Sequence, residues 1–227
     1  MKNISTLFII AVLSFGIFSS CSNEEDFYSL NDIWLSLGFI DTENTSGYDY
    51  IIYCDNGDTL FPAANNVVNF KKHNNQRVLI NYTILDEVNN AEKKFYVKIN
   101  NIQEILLKDL VEINDTNTDS LGNNSATITD NWITNNILNI EFQYLGGFAI
   151  HTINLAYVPN EEGLLTNPIR LEFKHNANND SGKHILTNLV SFHLDKLQIE
   201  GRNSVDYEIK SIDLFDQERI ITGTYKY

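Results

Sequence analysis

Two cysteines, five histidines and thirty carboxylates are the side chains of this 227-residue sequence that could act as nucleophiles, metal ligands or proton carriers. The histidines are His73, His151, His175, His184 and His193, and none stands in an HxH or HExxH spacing. Those spacings place two imidazoles on one face for zinc. The five are expected to be separate structural residues, with His151, His175 and His193 in or beside strands that could bring them together. Asp115-x-Asn117-x-Asp119 has the oxygen spacing that opens a calcium loop. Such a loop needs Gly at its sixth position and a bidentate Glu at its twelfth, and the sequence has Ser120 and Ala126 there. A solvated linker is the expectation. No GxSxG elbow, P-loop or GxGxxG occurs, and sequence cannot pair the plentiful carboxylates at the separation glycoside hydrolysis needs. Cys54 ends the apolar run Tyr50-Ile51-Ile52-Tyr53-Cys54. No basic neighbour there stabilises a thiolate, so it reads as a buried structural thiol. The sequence gives no catalytic residue, no metal ligand set and no cofactor.

Cys21 is different. Met1-Lys2-Asn3 supplies one positive charge, Leu7 to Leu13 is unbroken apolar sequence, and Phe18-Ser19-Ser20-Cys21 closes the segment. A basic start, a short apolar core and small residues before a cut describe a secretory signal over residues 1–20. The run falls short of the roughly 20 residues a membrane span needs. The ending resembles the bacterial lipobox, although Phe18 and Ser20 are looser than its usual Leu and Gly or Ala. Residues 21–28 are then a lipidated cysteine and an acidic tether, Ser22-Asn23-Glu24-Glu25-Asp26. The acidic run resembles the surface-export signal of Bacteroidetes lipoproteins. The expectation is an outer-membrane, surface-exposed protein held through covalent lipid on Cys21. Two or three acyl chains make such an anchor effectively permanent, since each buried methylene contributes about 0.8 kcal/mol.

Residues 1–20 contain one base, Lys2, and no acid, so their removal takes the net charge from −14 to −15. A field of that sign repels phosphate backbones, which argues against nucleic acid as a partner. With Cys21 acylated, Cys54 has no cysteine to pair with.

Strand patterns fill the rest. Gln76 to Leu85 alternates Val78, Ile80, Tyr82 and Ile84 on one face. Trp34–Ile40, Tyr48–Cys54, Thr59–Phe61 and Lys94–Ile99 complete a set of five, with Asn56-Gly57 as a type I′ hairpin signal. Five strands in this length predict an OB-like barrel over residues 29–113. Its last segment, Ile105 to Ile113, is ambiguous between strand and short helix. Residues 114–125 are polar and aperiodic, a linker. Residues 126–227 hold seven strand patterns: 126–133, 137–144, 148–157, 169–175, 189–194, 207–215 and 219–225. They predict a seven-stranded antiparallel β-sandwich. The fold class expected is all-β.

Aromatic side chains are the best candidates for ligand contact. Trp34, Tyr48 and Tyr50 head a crowd of rings in the barrel, and barrels of this type present a strand face to oligosaccharides. Trp132 reads as a core residue. Asp58-Thr59-Leu60 and Asp119-Ser120-Leu121 resemble the Bacteroidetes O-glycosylation motif, which nominates Thr59 and Ser120.

The chain resembles the NigD-like lipoproteins of the Bacteroidetes from Cys21 to its C-terminus. The carriers are Tyr28-Ser29-Leu30 with Trp34, Asp58-Thr59-Leu60-Phe61-Pro62-Ala63-Ala64, Gln76 to Ile84, and Tyr96-Val97-Lys98-Ile99-Asn100. Asp119-Ser120-Leu121-Gly122, Ile153-Asn154-Leu155 and Leu171 to Asn178 follow in order. The resemblance implies an N-terminal OB-like domain and a C-terminal β-sandwich. Cys54 departs from it, standing where an ordinary strand residue is expected. The functional expectation is a non-catalytic binding or interaction module of the cell envelope, with a protein or glycan partner. The alternative the resemblance brings is bacteriocin immunity at the cell surface. An envelope enzyme is the third and least supported class.

Overall fold

The computed structural model describes residues 29, 32–45, 47–114, 116–159 and 165–227. The signal segment, Cys21, the acidic tether and Asp115 of the calcium-like motif lie outside them.

The first five strands are β1 (Trp34–Asp41), β2 (Ile51–Cys54), β3 (Thr59–Asn65), β4 (Gln76–Asn89) and β5 (Lys94–Glu104). They close into a barrel in the order β1-β2-β3-β5-β4, with β3 and β5 parallel. The alternation in β4 does what a two-residue period requires: Val78, Ile80, Tyr82 and Ile84 all point inward and are buried. Leu60, Val97 and Ile99 meet them from β3 and β5. Gly38 sits where a Cβ would lie 2.7 Å from the Tyr53 carbonyl oxygen, so only glycine lets β1 and β2 approach this closely. The Asn56-Gly57 turn forms, but not as type I′. Gly57 alone has positive φ, and its N–H donates to the Cys54 carbonyl. This is the three-residue loop in which a type I turn ends on a left-handed glycine.

The other strands are β6 (Leu106–Asp109), β7 (Val111–Glu112), β8 (Ala126–Thr134), β9 (Ile137–Gly146), β10 (Thr152–Tyr157), β11 (Ile169–Asn176), β12 (His184–His193), β13 (Ser204–Ile212) and β14 (Glu218–Lys226). They form two sheets, β14-β13-β11-β10-β7 and β6-β12-β9-β8. Leu138, Ile140, Phe142 and Phe192 face Leu155, Leu171, Ile209 and Tyr225 across the core between them.

Among the described residues the sandwich thus has nine strands, the seven expected and two more. Ile105 to Ile113 is neither one strand nor a helix. The chain breaks at buried Leu110, so β6 joins one sheet and β7 the other. Both pair parallel with their neighbours, as do β11 and β13, so the sandwich is mixed rather than purely antiparallel. Residues 106–112 therefore lie in the sandwich sheets, where the sequence division had left them with the barrel. The expected linker holds a short helix, α1 (Thr118–Leu121), with Leu121 buried.

Among the described residues, a polar bridge joins barrel to sandwich. The Arg77 side chain on β4 is fully buried and forms a bidentate pair with Asp55 at 2.5 and 2.6 Å. Its second terminal nitrogen donates to Asn139 on β9 at 3.0 Å, and Ser191 Oγ donates to the same Asn139 oxygen at 2.7 Å.

Candidate functional site

The three ring positions nominated from sequence do not form one surface. Tyr50 is 4% exposed and belongs to the barrel core. Trp34 is 45% exposed at the start of β1. Tyr48 packs against Phe61 and Tyr96 on the barrel's outer side, its hydroxyl 3.0 Å from that of Tyr96. Trp132 is not a core residue. It is 37% exposed and lines a cleft of about 450 Å³ between barrel and sandwich, with Leu35, Leu37, Leu79 and Leu189. Its position in β8 is on the sheet face turned toward the barrel, which is why an apolar pattern alone misassigned it. Thr59 is half-buried on β3, and Ser120 is exposed on α1 with its hydroxyl donated to the Asn117 carbonyl. The Cys54 thiol is buried, and burial pushes it up to about 12. That leaves no thiolate at neutral pH.

Histidines converge elsewhere. His151, at the start of β10, and His175, near the end of β11, meet with Nδ1 of the first 2.8 Å from Nε2 of the second. The β10–β11 hairpin register opposes Ile153 to His175, which puts His151 on the diagonal. Tyr144 of β9 packs its ring on both imidazoles. His193 stays apart, 3.9 Å from Asp195. Nε2 of His151 lies 3.1 Å from Asp180, and both side chains are nearly closed to water, at 5% and 6% exposure. No group of three or more His, Cys, Asp or Glu among the described residues has the geometry to hold a metal.

Asp180 is the hub. Gly147 N–H donates to it at 2.6 Å, Ala149 N–H at 3.3 Å and Gly182 N–H at 2.9 Å. The hydrogen bond from His151, followed by those from Gly182 and Gly147, holds its carboxyl well below the usual carboxylate range. Asn178 adds a bond from its side-chain nitrogen to the Ile150 carbonyl at 2.5 Å. Gly182 must be glycine, because a Cβ there would lie 2.1 Å from the Gly146 carbonyl carbon and the Gly147 nitrogen.

These bonds pin the loop 147–151 between β9 and β10, yet its apolar side chains face water. Phe148 is 103% exposed and Ile150 is 86% exposed. Leu145 and Ile185, paired directly across β9 and β12, add exposed apolar surface at the same end of the sheet. Leaving a Phe or Ile out of the interior forgoes about 1.5–3 kcal/mol each. This loop is held by three hydrogen bonds to its backbone and two from the His151 ring. In sequence, Phe148 to Tyr157 looks like one continuous strand. The Gly146-Gly147 pair and the reach of Asp180 break it.

Residues 40–105 match the model of the NigD-like N-terminal OB domain, and residues 109–222 match that of the NigD-like C-terminal β-sandwich domain. The chain belongs to the NigD-like family. A Parabacteroides distasonis protein provisionally described as toxin-related is 32% identical, with a TM-score of 0.70 over 86% of this chain and 94% of its own. A Bacteroides vulgatus protein of unknown function is 19% identical, with a TM-score of 0.69 over 86% and 92%. A NigD-like immunity protein from Bacteroides caccae is 17% identical, with a TM-score of 0.66 over 88% and 99%. The last two likenesses speak for the fold alone. No curated protein matches the chain. Among the described residues no helix is long and apolar enough to cross a membrane.

Proposed function

We propose that this NigD-like chain is a non-catalytic interaction module of the cell envelope, tethered by lipid on Cys21, that docks a protein through the 147–151 loop. The observation that carries this reading is the pairing of near-complete exposure at Phe148 and Ile150 with a backbone pinned by Asp180 and Asn178. Binding energy concentrates in a few apolar anchors set in a preorganised frame. A rigid loop with two projecting side chains is such a frame, and it calls for a partner with an apolar pocket. The net charge of −15 after removal of residues 1–20 favours a partner whose rim is basic.

A glycan reading has less support. Sugar sites stack rings on one accessible face, and the nominated rings divide between core and surface. A specific observation favours a second identity for the partner. A relative at 32% identity is described as toxin-related and a structural neighbour as an immunity protein. In that reading the docked protein is a toxin that the module neutralises at the surface.

The test is position-specific photo-crosslinking in the living cell. The photoreactive residue replaces Phe148 in one strain and Phe215, 81% exposed on a different turn, in another.

A further inference from the structure

The hydrogen bonds beneath the loop fix where the protons are. His175 Nδ1 lies 3.0 Å from the Ser125 carbonyl oxygen, which only accepts, so that nitrogen carries a hydrogen. In neutral His175 the remaining nitrogen, Nε2, is then a lone pair. His151 Nδ1, 2.8 Å away, must donate to it. The other His151 nitrogen faces Asp180, a carboxylate already accepting three backbone N–H groups. It must donate as well. The hydrogen-bond pattern is complete when both His151 nitrogens carry hydrogens and His175 Nε2 accepts.

We propose that the Asp180–His151–His175 chain is an acid-operated latch on the loop, closed at neutral pH and released when a proton enters His175. The proposal deepens the docking reading, because the segment it controls is the one that displays Phe148 and Ile150. A proton taken from water onto His175 Nε2 would set N–H against N–H across 2.8 Å. It would also place two cations in rings whose centroids are 5.0 Å apart. That hydrogen bond is lost and like charges repel. His151 can move, since it borders a cavity of about 360 Å³. It follows Ile150 directly in the chain, so its movement carries the loop.

Few other charges bear on the pair among the described residues. Glu104 at the end of β5 lines the same cavity, and Tyr144 of β9 packs on both rings. His184 opens β12 opposite Gly146 and is exposed. Lys174 beside His175 is taken up by Glu172 and Asn123. Asp216 accepts the Ser125 hydroxyl. Burial holds His175 below the ordinary imidazole range, and the charge on His151 adds to that. The latch fails as pH falls through the depressed value of His175. The Asp180 carboxyl is itself held well below the usual carboxylate range.

Hydrogen–deuterium exchange of the full chain between pH 7.5 and 5.0, corrected for the intrinsic rate, reads the latch without any partner. The expected result is about a tenfold loss of protection in peptides covering residues 146–151, the scale of one charge-assisted hydrogen bond. The midpoint should coincide with titration of the His175 ring by NMR. In His175→Gln the amide oxygen accepts from His151 without titrating, and the loss should vanish. Unchanged protection across the range overturns the latch, and so does an undiminished loss in His175→Gln. Should that variant not fold, protection that stays constant while the wild-type His175 ring titrates overturns it equally. A loop that opens in acid but crosslinks to nothing would leave the latch standing and remove the docking role.

Discussion

Replacing Arg77 by Met tests what couples the barrel to the sandwich. The substitution keeps an unbranched apolar stem and removes the guanidinium. Three interactions go with it: the bidentate pair with Asp55, the bond to Asn139 at 3.0 Å, and the stacking over Phe39 at 4.8 Å. Asn139 keeps Ser191 as a donor, so it is not stranded. Asp55 is stranded. Losing one member of a buried ion pair costs roughly 3–5 kcal/mol. Asp55 retains 14% exposure and so some water, which places the expected cost near the lower bound, about 3 kcal/mol. Urea unfolding can be followed in single-tryptophan variants, one keeping Trp34 at the start of barrel strand β1 and one keeping Trp132 on β8 of the sandwich. With a slope of about 2 kcal/mol per molar, the Trp34 transition should fall by about 1.5 M. It should also part from the Trp132 transition. Adding Asp55→Leu removes the uncompensated charge and should bring stability back to within about 1 kcal/mol of wild type. A midpoint shift in Arg77→Met below about 0.3 M would refute this account. So would a double variant worse than the single one.

Gly182→Ala should be severe despite its single methyl, because the new Cβ meets the Gly146 and Gly147 backbone at 2.1 Å. The loop must move away from Asp180, and exchange protection at residues 146–151 should be lost at neutral pH. Cys21→Ala should move the protein from the membrane pellet to the soluble fraction. A variant that stays in the pellet would show that lipid on Cys21 is not the tether.

The strands were legible where one face is buried and the other wet. Val78-x-Ile80-x-Tyr82-x-Ile84 and Ile169-x-Leu171-x-Phe173 declare their inward faces by period alone, and the barrel and sandwich follow from such runs. Ile105 to Ile113 resisted because its chain changes sheets at Leu110, and a strand of two or four residues is too short to show a period. The parallel pairings escaped for a related reason, since nothing in a strand's pattern states the direction of its neighbour. Trp132 was misread because a sheet face covered by a second domain looks, in sequence, like a core face. The histidine pair lay within reach. His151 and His175 flank the Ile153-Asn154-Leu155 and Leu171 to Lys174 runs, and pairing those runs antiparallel sets them on one diagonal. Asp180 was not legible, because its role depends on a turn through Asn178 and Asn179, both at positive φ. Without that turn, Phe148 and Ile150 read as two more strand residues.

The docking role of those two side chains is tested most directly by the in-cell crosslink. With the photoreactive residue at position 148, the account predicts one discrete adduct of defined mass. It should be absent at position 215, and lost again when Asp180→Ala frees the loop. No adduct at 148, or the same adducts from 148 and 215, would contradict the claim that this loop is a binding surface.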